Sequence, residues 1–179
     1  MNNLKRRNQI KWCIYCLLLP ILYVMQTTPG FLSFGGVKPM LLIPLAVAVA
    51  CFEQPLPSGV YAMFCGLFTD AAADYLLGFN AIILMFACVI ISLVHTAYLK
   101  SKLADTLASC FLTLLLQRFL DYFFYYLIWG SDPDGWMLLH RFLPTAALSL
   151  VFCIPIYYLI RLIVVRLQKD DTDLMMIDS

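Results

Sequence analysis

The chain has 179 residues, 63% of them hydrophobic and only 13% charged, with a formal net charge of +1. A soluble domain of this size could not bury that much apolar surface, so the composition predicts a polytopic integral membrane protein of all-α class. Near-neutral charge excludes a nucleic-acid role by bulk electrostatics.

Six apolar segments succeed one another, at about 12–27, 39–52, 58–77, 80–99, 103–129 and 137–165. They predict six transmembrane helices in a single domain over residues 1–179, with short tails at either end. Lys5, Arg6, Arg7 and Lys11 precede the first run, as in a signal peptide. However, Gln26-Thr27-Thr28-Pro29-Gly30 after it is no small-x-small cleavage site, and the reading is an uncleaved span. Pro20 is expected to kink the first helix and Pro155 the last. The second segment is short enough, by length alone, for a re-entrant hairpin.

Charge counting sets the topology. Six spans and a cytoplasmic N-terminus put Lys5, Arg6, Arg7, Lys11, Lys100, Lys102, Arg161, Arg166 and Lys169 inside, and only Lys38 and Arg141 outside. That asymmetry fits the positive-inside rule, with both termini cytoplasmic. Loops are short, including the Gly35-Gly36 loop and the external turn Ser131-Asp132-Pro133-Asp134-Gly135. Beyond Lys169, Asp170, Asp171 and Asp173 lead into Leu174-Met175-Met176-Ile177, read as a mobile cytoplasmic tail and a candidate docking peptide.

The third segment carries the most information. Helical spacing puts Gly59, Ala62, Gly66, Asp70 and Asp74 near one stripe. Small residues there admit a neighbouring helix closely, and Gly78 ends the stretch as a further packing glycine. Carboxylates inside a span are expensive, so Asp70 and Asp74 are expected to be paired or functional. The fifth segment offers a partner in Gln117-Arg118-Phe119-Leu120-Asp121. Arg118 is expected near mid-membrane, where an arginine costs about 2.5–3.5 kcal/mol before any partner is counted. A carboxylate on a neighbouring helix is the first candidate to compensate it, and Asp121, one turn away, the second. A structural ion-pair network is favoured over a ligand or proton site, and which carboxylate pairs with Arg118 stays open. Asp70 and Arg118 are expected to depend on each other.

Other polar residues have plainer readings. Glu53 is expected to be interfacial, His95 a satisfied polar residue, and His140 and Arg141 to top the polar cluster or snorkel. The seven cysteines lie in apolar runs as small buried hydrophobes; Cys13 and Cys16 have metal-like spacing but no second pair. The aromatic run at 122–126 with Trp129 and Trp136 fits an outer interfacial belt or a partner-facing surface formed by Phe123, Tyr126, Trp129 and Trp136. No catalytic motif, metal set or cofactor site is found, and the chain is read as non-enzymatic.

The order of features resembles the rod-shape-determining MreD family. The short second segment opens at Lys38-Pro39-Met40-Leu41-Leu42, an acid and helix break follow at Glu53-Gln54-Pro55, then Gly66-Leu67-Phe68-Thr69-Asp70 and Gly78-Phe79-Asn80. The resemblance covers roughly residues 38–100, the remainder matching only in hydropathy. It implies a non-enzymatic component of the bacterial plasma membrane that supports lateral peptidoglycan synthesis. The implied partners are an MreC-like bitopic protein, an MreB-like actin homologue and the RodA-type glycosyltransferase with its transpeptidase, in surrounding membrane lipid. The family is similar in fold to substrate-binding components of energy-coupling-factor vitamin transporters, which makes such a component the alternative. Against it, 13–20 lacks the Ala-x-x-x-Ala docking pattern of those proteins.

Overall fold

Each apolar run becomes a helix in a computed structural model of the protein, which describes residues 2–28, 39–73, 78–97, 103–129 and 135–177. The order is α1 (Asn2–Thr27), α2 (Leu42–Phe52), α3 (Pro55–Ala73), α4 (Phe79–Ala97), α5 (Leu103–Trp129) and α6 (Gly135–Ile177). All secondary structure among the described residues is helical. Pro20 lies within α1, and Pro144 and Pro155 within α6. The Gly35-Gly36 loop, Asp74 and the turn at 131–134 lie outside the described residues. The expected tail is instead the continuation of α6, which stays helical through Ile177.

Among the described residues, four stretches are long and apolar enough to cross a membrane: Arg7–Thr27, Phe79–Ala97, Leu103–Asp121 and Leu143–Arg166. The exposed surface agrees with a lipid environment. Leu56, Val60, Phe64 and Phe68 recur every four residues along α3, and Ile82, Phe86 and Ile90 along α4, all exposed. Large apolar side chains in outward stripes suit hydrocarbon, whereas soluble proteins rarely expose contiguous apolar patches on this scale. These features mark a membrane protein. α3 is 19 residues long, but two prolines, Ser58, Gly59, Gly66 and Asp70 dilute its hydropathy.

Segment 39–52 departs from the expected span. Only Leu42–Phe52 is helical, 11 residues, which is about 16 Å of helix against a hydrocarbon core of about 30 Å. All of α2 except Phe52 is buried. It forms the axis of the bundle, packed against the other five helices. The physical reason for its length lies at its ends. Gln26 of α1 accepts from Leu41 N–H and Leu42 N–H at 2.9 and 3.3 Å, and Ser149 Oγ of α6 accepts from Met40 N–H at 3.0 Å. These side chains take up orphan donors that a helix start leaves behind. At the far end Glu53 is extended (φ −110°, ψ 163°), and Pro55 opens α3, where a missing N–H does no harm.

Contacts fix the direction of every helix. Gln26 meets the start of α2, while Tyr15 and Lys11 meet Glu53 at its end, so α1 and α2 are antiparallel. Tyr61 donates to Tyr15 O and Phe68 stacks edge-on with Tyr23, which makes α3 parallel to α1. α4 runs back, with Ser92 donating to Glu53 O at 2.6 Å. Gln117 of α5 reaches Asn80 at the start of α4. Phe52 meets Tyr157 and Met40 meets Ser149, so α6 opposes α5. Successive helices therefore alternate in direction, and Lys11, Glu53, Ser92 and Tyr157 share one end. Met40, Asp70, Gly78, Asn80, Gln117 and Ser149 share the other.

The last two helices outrun the rest at that second end. Trp129 closes α5 eleven residues beyond Arg118, and Gly135 opens α6 fourteen residues before Ser149; these are about 16 and 21 Å of additional helix.

Candidate functional site

Asp70 joins α3 to α4. Its Oδ2 accepts from Gly78 N–H at 2.9 Å and Ala81 N–H at 3.4 Å, and its Oδ1 from Asn80 N–H at 3.2 Å. The carboxylate, 1% exposed, thus caps the N-terminus of the following helix from the C-terminal turns of the preceding one. The negative charge also faces the positive end of the α4 dipole. Burial is tolerable because the charge is shared among aligned N–H groups.

The surrounding glycines serve the same joint in different ways. A Cβ on Gly66 would run into Ala81 Cα, and would lie 2.7 Å from Ala81 N and 2.8 Å from Asn80 O. Here α3 and α4 meet backbone to backbone, one turn from Asp70. A Cβ on Gly59 would meet Val89 Cγ2 at 2.6 Å. Gly78 does not act as a packing glycine among the described residues, contrary to expectation: none of them lies within 4 Å of where its Cβ would be, but its φ is +98°. The tight turn into α4 demands a backbone that only glycine adopts without cost.

Asn80 extends the joint to α5. Its side-chain Oδ1 accepts from Gln117 Nε2, and both residues are buried. Gly66, Asp70, Gly78 and Asn80 therefore act as one clasp holding α3, α4 and α5 together.

Arg118 meets the second of its candidate partners and not the first. It adjoins Gln117, level with the second residue of α4 and with Met40 before α2, at one end of the bundle. Its Nη1 pairs with Asp121 Oδ2 at 3.4 Å on its own helix, and its Nη2 donates to Met40 Sδ at 3.4 Å. Asp70 is satisfied by backbone donors, so the expected Asp70–Arg118 dependence has no contact behind it. The physical reason is register. A carboxylate fitted to a helix start outcompetes a guanidinium one helix further away. Asp74 falls outside the described residues.

Of the aromatic surface, Phe123 is exposed and packs edge-on against Phe124, which in turn meets Phe79. Tyr126 and Trp129 lie in α5 and Trp136 in α6, with side chains outside the described residues, as are those of His140 and Arg141.

Sequence reasoning missed the opposite end. The Glu53 side chain is 9% exposed, and Lys11 Nζ sits 2.8 Å from Oε1 and 2.9 Å from Oε2. Tyr15 OH also donates to Oε1, at 3.1 Å. The usable signal was the acid at a helix break, together with a lysine at the mouth of the first apolar run. His95 is only half satisfied. Its Nδ1 meets Ile91 O at 3.0 Å, while Nε2 is buried without a partner. Cys51, Cys65, Cys88, Cys110 and Cys153 are buried, one on each of α2 to α6, whereas Cys13 and Cys16 are exposed on α1. Among the described residues no group of His, Cys, Asp or Glu could hold a metal ion.

No family model, curated protein or solved structure matches the chain.

Proposed function

We propose that this chain is an MreD-like, non-enzymatic component of the bacterial plasma membrane that supports rod shape and lateral cell-wall synthesis by binding partner proteins. The observation that carries the reading is the clasp. Gly66, Asp70, Gly78 and Asn80, which carry the resemblance, converge on one joint between α3, α4 and α5. A shared structural purpose makes their co-occurrence less easily accidental. The six segments then traverse the bilayer in alternation, the short α2 with its flanking residues completing the count, and both termini face the cytoplasm. Basic residues at the Lys11 end support that orientation. The extended ends of α5 and α6 supply an outer contact for an MreC-like single-span protein, and through it for the MreB-like and RodA-type machinery.

Depletion in the native bacterium tests the proposal, read by cell shape and by what co-purifies. Loss of rod shape with recovery of a single-span coiled-coil protein supports it. Normal rods, with recovery of ATPase subunits and a bound vitamin, would overturn it in favour of the transporter component.

A further inference from the structure

Level with the first turn of α4, three polar groups on α5 keep unused hydrogen-bonding capacity. Gln117 is 4% exposed; its amide nitrogen serves Asn80, and its Oε1 is buried with no partner. A stranded buried acceptor is costly, and native structures answer one with a bound donor. Asp121 stands one turn above Gln117 on the same side of α5. Its only described partner is Arg118, at a distance long for a charge-assisted bond. Arg118 has five N–H donors and directs one Nη at Asp121 and the other at a thioether, a weak acceptor. The two charged side chains are 27% and 29% exposed.

The surroundings select a ligand class. Phe119, beside Arg118, is 66% exposed, and Phe123 is 49% exposed. A charge pair next to bare apolar surface, level with the start of the apolar span Phe79–Ala97, sits where hydrocarbon gives way to headgroups. Arg118 calls for an oxyanion, while Asp121 and Gln117 call for an N–H donor close beside it. A purely anionic headgroup would bring like charge to Asp121, and a quaternary ammonium has no N–H to give. We infer that Gln117, Arg118 and Asp121 form a site for the aminoalkyl phosphate headgroup of a zwitterionic phospholipid. The phosphate binds Arg118, the primary ammonium meets Asp121 first and Gln117 Oε1 next, and an acyl chain follows Phe119.

The intact protein is reconstituted with equal amounts of phosphatidylethanolamine, phosphatidylcholine and phosphatidylglycerol, and lipids retained after detergent extraction are counted by native mass spectrometry. Phosphatidylethanolamine is expected to be retained roughly tenfold over phosphatidylcholine, which is the worth of a hydrogen bond to a charged group. Gln117→Leu and Asp121→Asn should each lower that preference, and Arg118→Gln should lower retention of all three lipids. Equal retention of the first two lipids by the unaltered protein overturns the inference without any variant having to fold. So does a preference that survives Gln117→Leu and Asp121→Asn alike. Soluble phosphoethanolamine and inorganic phosphate are added as competitors. Binding of phosphoethanolamine without lipid retention assigns the site to a soluble aminoalkyl phosphate and overturns the lipid assignment.

Discussion

Lys11, on the first helix, grips both carboxylate oxygens of Glu53, 42 residues later in the chain. Glu53 follows the last helical residue of α2, and its backbone carbonyl accepts from Ser92 of α4. One residue thus ties α1, α2 and α4 together where α2 turns into α3. The Tyr15 hydroxyl on Glu53, and the Tyr61 hydroxyl on the Tyr15 carbonyl, extend the connection to α3.

Removing the two partners should not have equal effects. Lys11→Met strands a carboxylate whose side chain is 9% exposed, whereas Glu53→Gln leaves a lysine, 21% exposed, with a path to water. Breaking a fully buried pair costs about 3–5 kcal/mol, and the exposure here reduces that. Thermal unfolding in detergent should rank Lys11→Met below Glu53→Gln, with the double variant recovering part of the loss. Equal, additive losses would show that the pair is not coupled.

Asp70 and Arg118 should behave independently. Asp70→Ala removes a cap and strands N–H donors on α4, for a loss of roughly 2–4 kcal/mol. Asp70→Asn, which keeps an acceptor oxygen, should lose less. A double-variant cycle of Asp70→Asn with Arg118→Gln is expected to be additive within about 0.5 kcal/mol. Arg118→Gln with Asp121→Asn should instead show a coupling of about 0.3–1 kcal/mol. A larger coupling in the first cycle than in the second would reverse the assignment.

The glycines separate by what a methyl group would strike. Gly66→Ala meets backbone atoms of Asn80 and Ala81, so no side-chain change on α4 can make room. Its loss should exceed the roughly 1–3 kcal/mol of ordinary overpacking. Gly59→Ala meets a side-chain methyl of Val89, and Val89→Ala should rescue it. Gly78→Ala should cost about 1 kcal/mol through its positive φ alone. Folded yield and melting temperature rank the three, and a Gly66→Ala rescued by Ala81→Gly would contradict the backbone contact.

The proposed partner-facing aromatic surface is tested through partner binding. Replacing Phe123, Tyr126 and Trp129 by leucine keeps the helix apolar and removes the aromatic anchors. Under the proposed function, at unchanged abundance, recovery of a single-span partner should fall and rod shape should fail. Survival of both would leave these residues as a lipid-interface belt.

How much of this was legible in the sequence depends on the range of the interaction. Periodicity exposed the helices, and the 103–129 segment coincides with α5, because apolar spacing is a local property. The Gly59–Gly66 stripe was visible for the same reason. Partners were harder. Nothing local distinguishes an aspartate that caps the next helix from one that waits for an arginine across the bundle. Glu53 was underrated because its cation lies on α1, far away in sequence.

The burial of α2 also has a consequence for biogenesis. This helix offers no lipid-facing side and spans only about half the hydrocarbon thickness, yet it leaves the ribosome second. Of the five helices that surround it, only α1 has by then been made. Its first turn waits for Ser149, and its last for Ser92, residues synthesised far later. A nascent chain halted after α2 therefore holds an apolar segment with four of its five walls missing, and must keep it in the insertion machinery or a chaperone until α6 arrives.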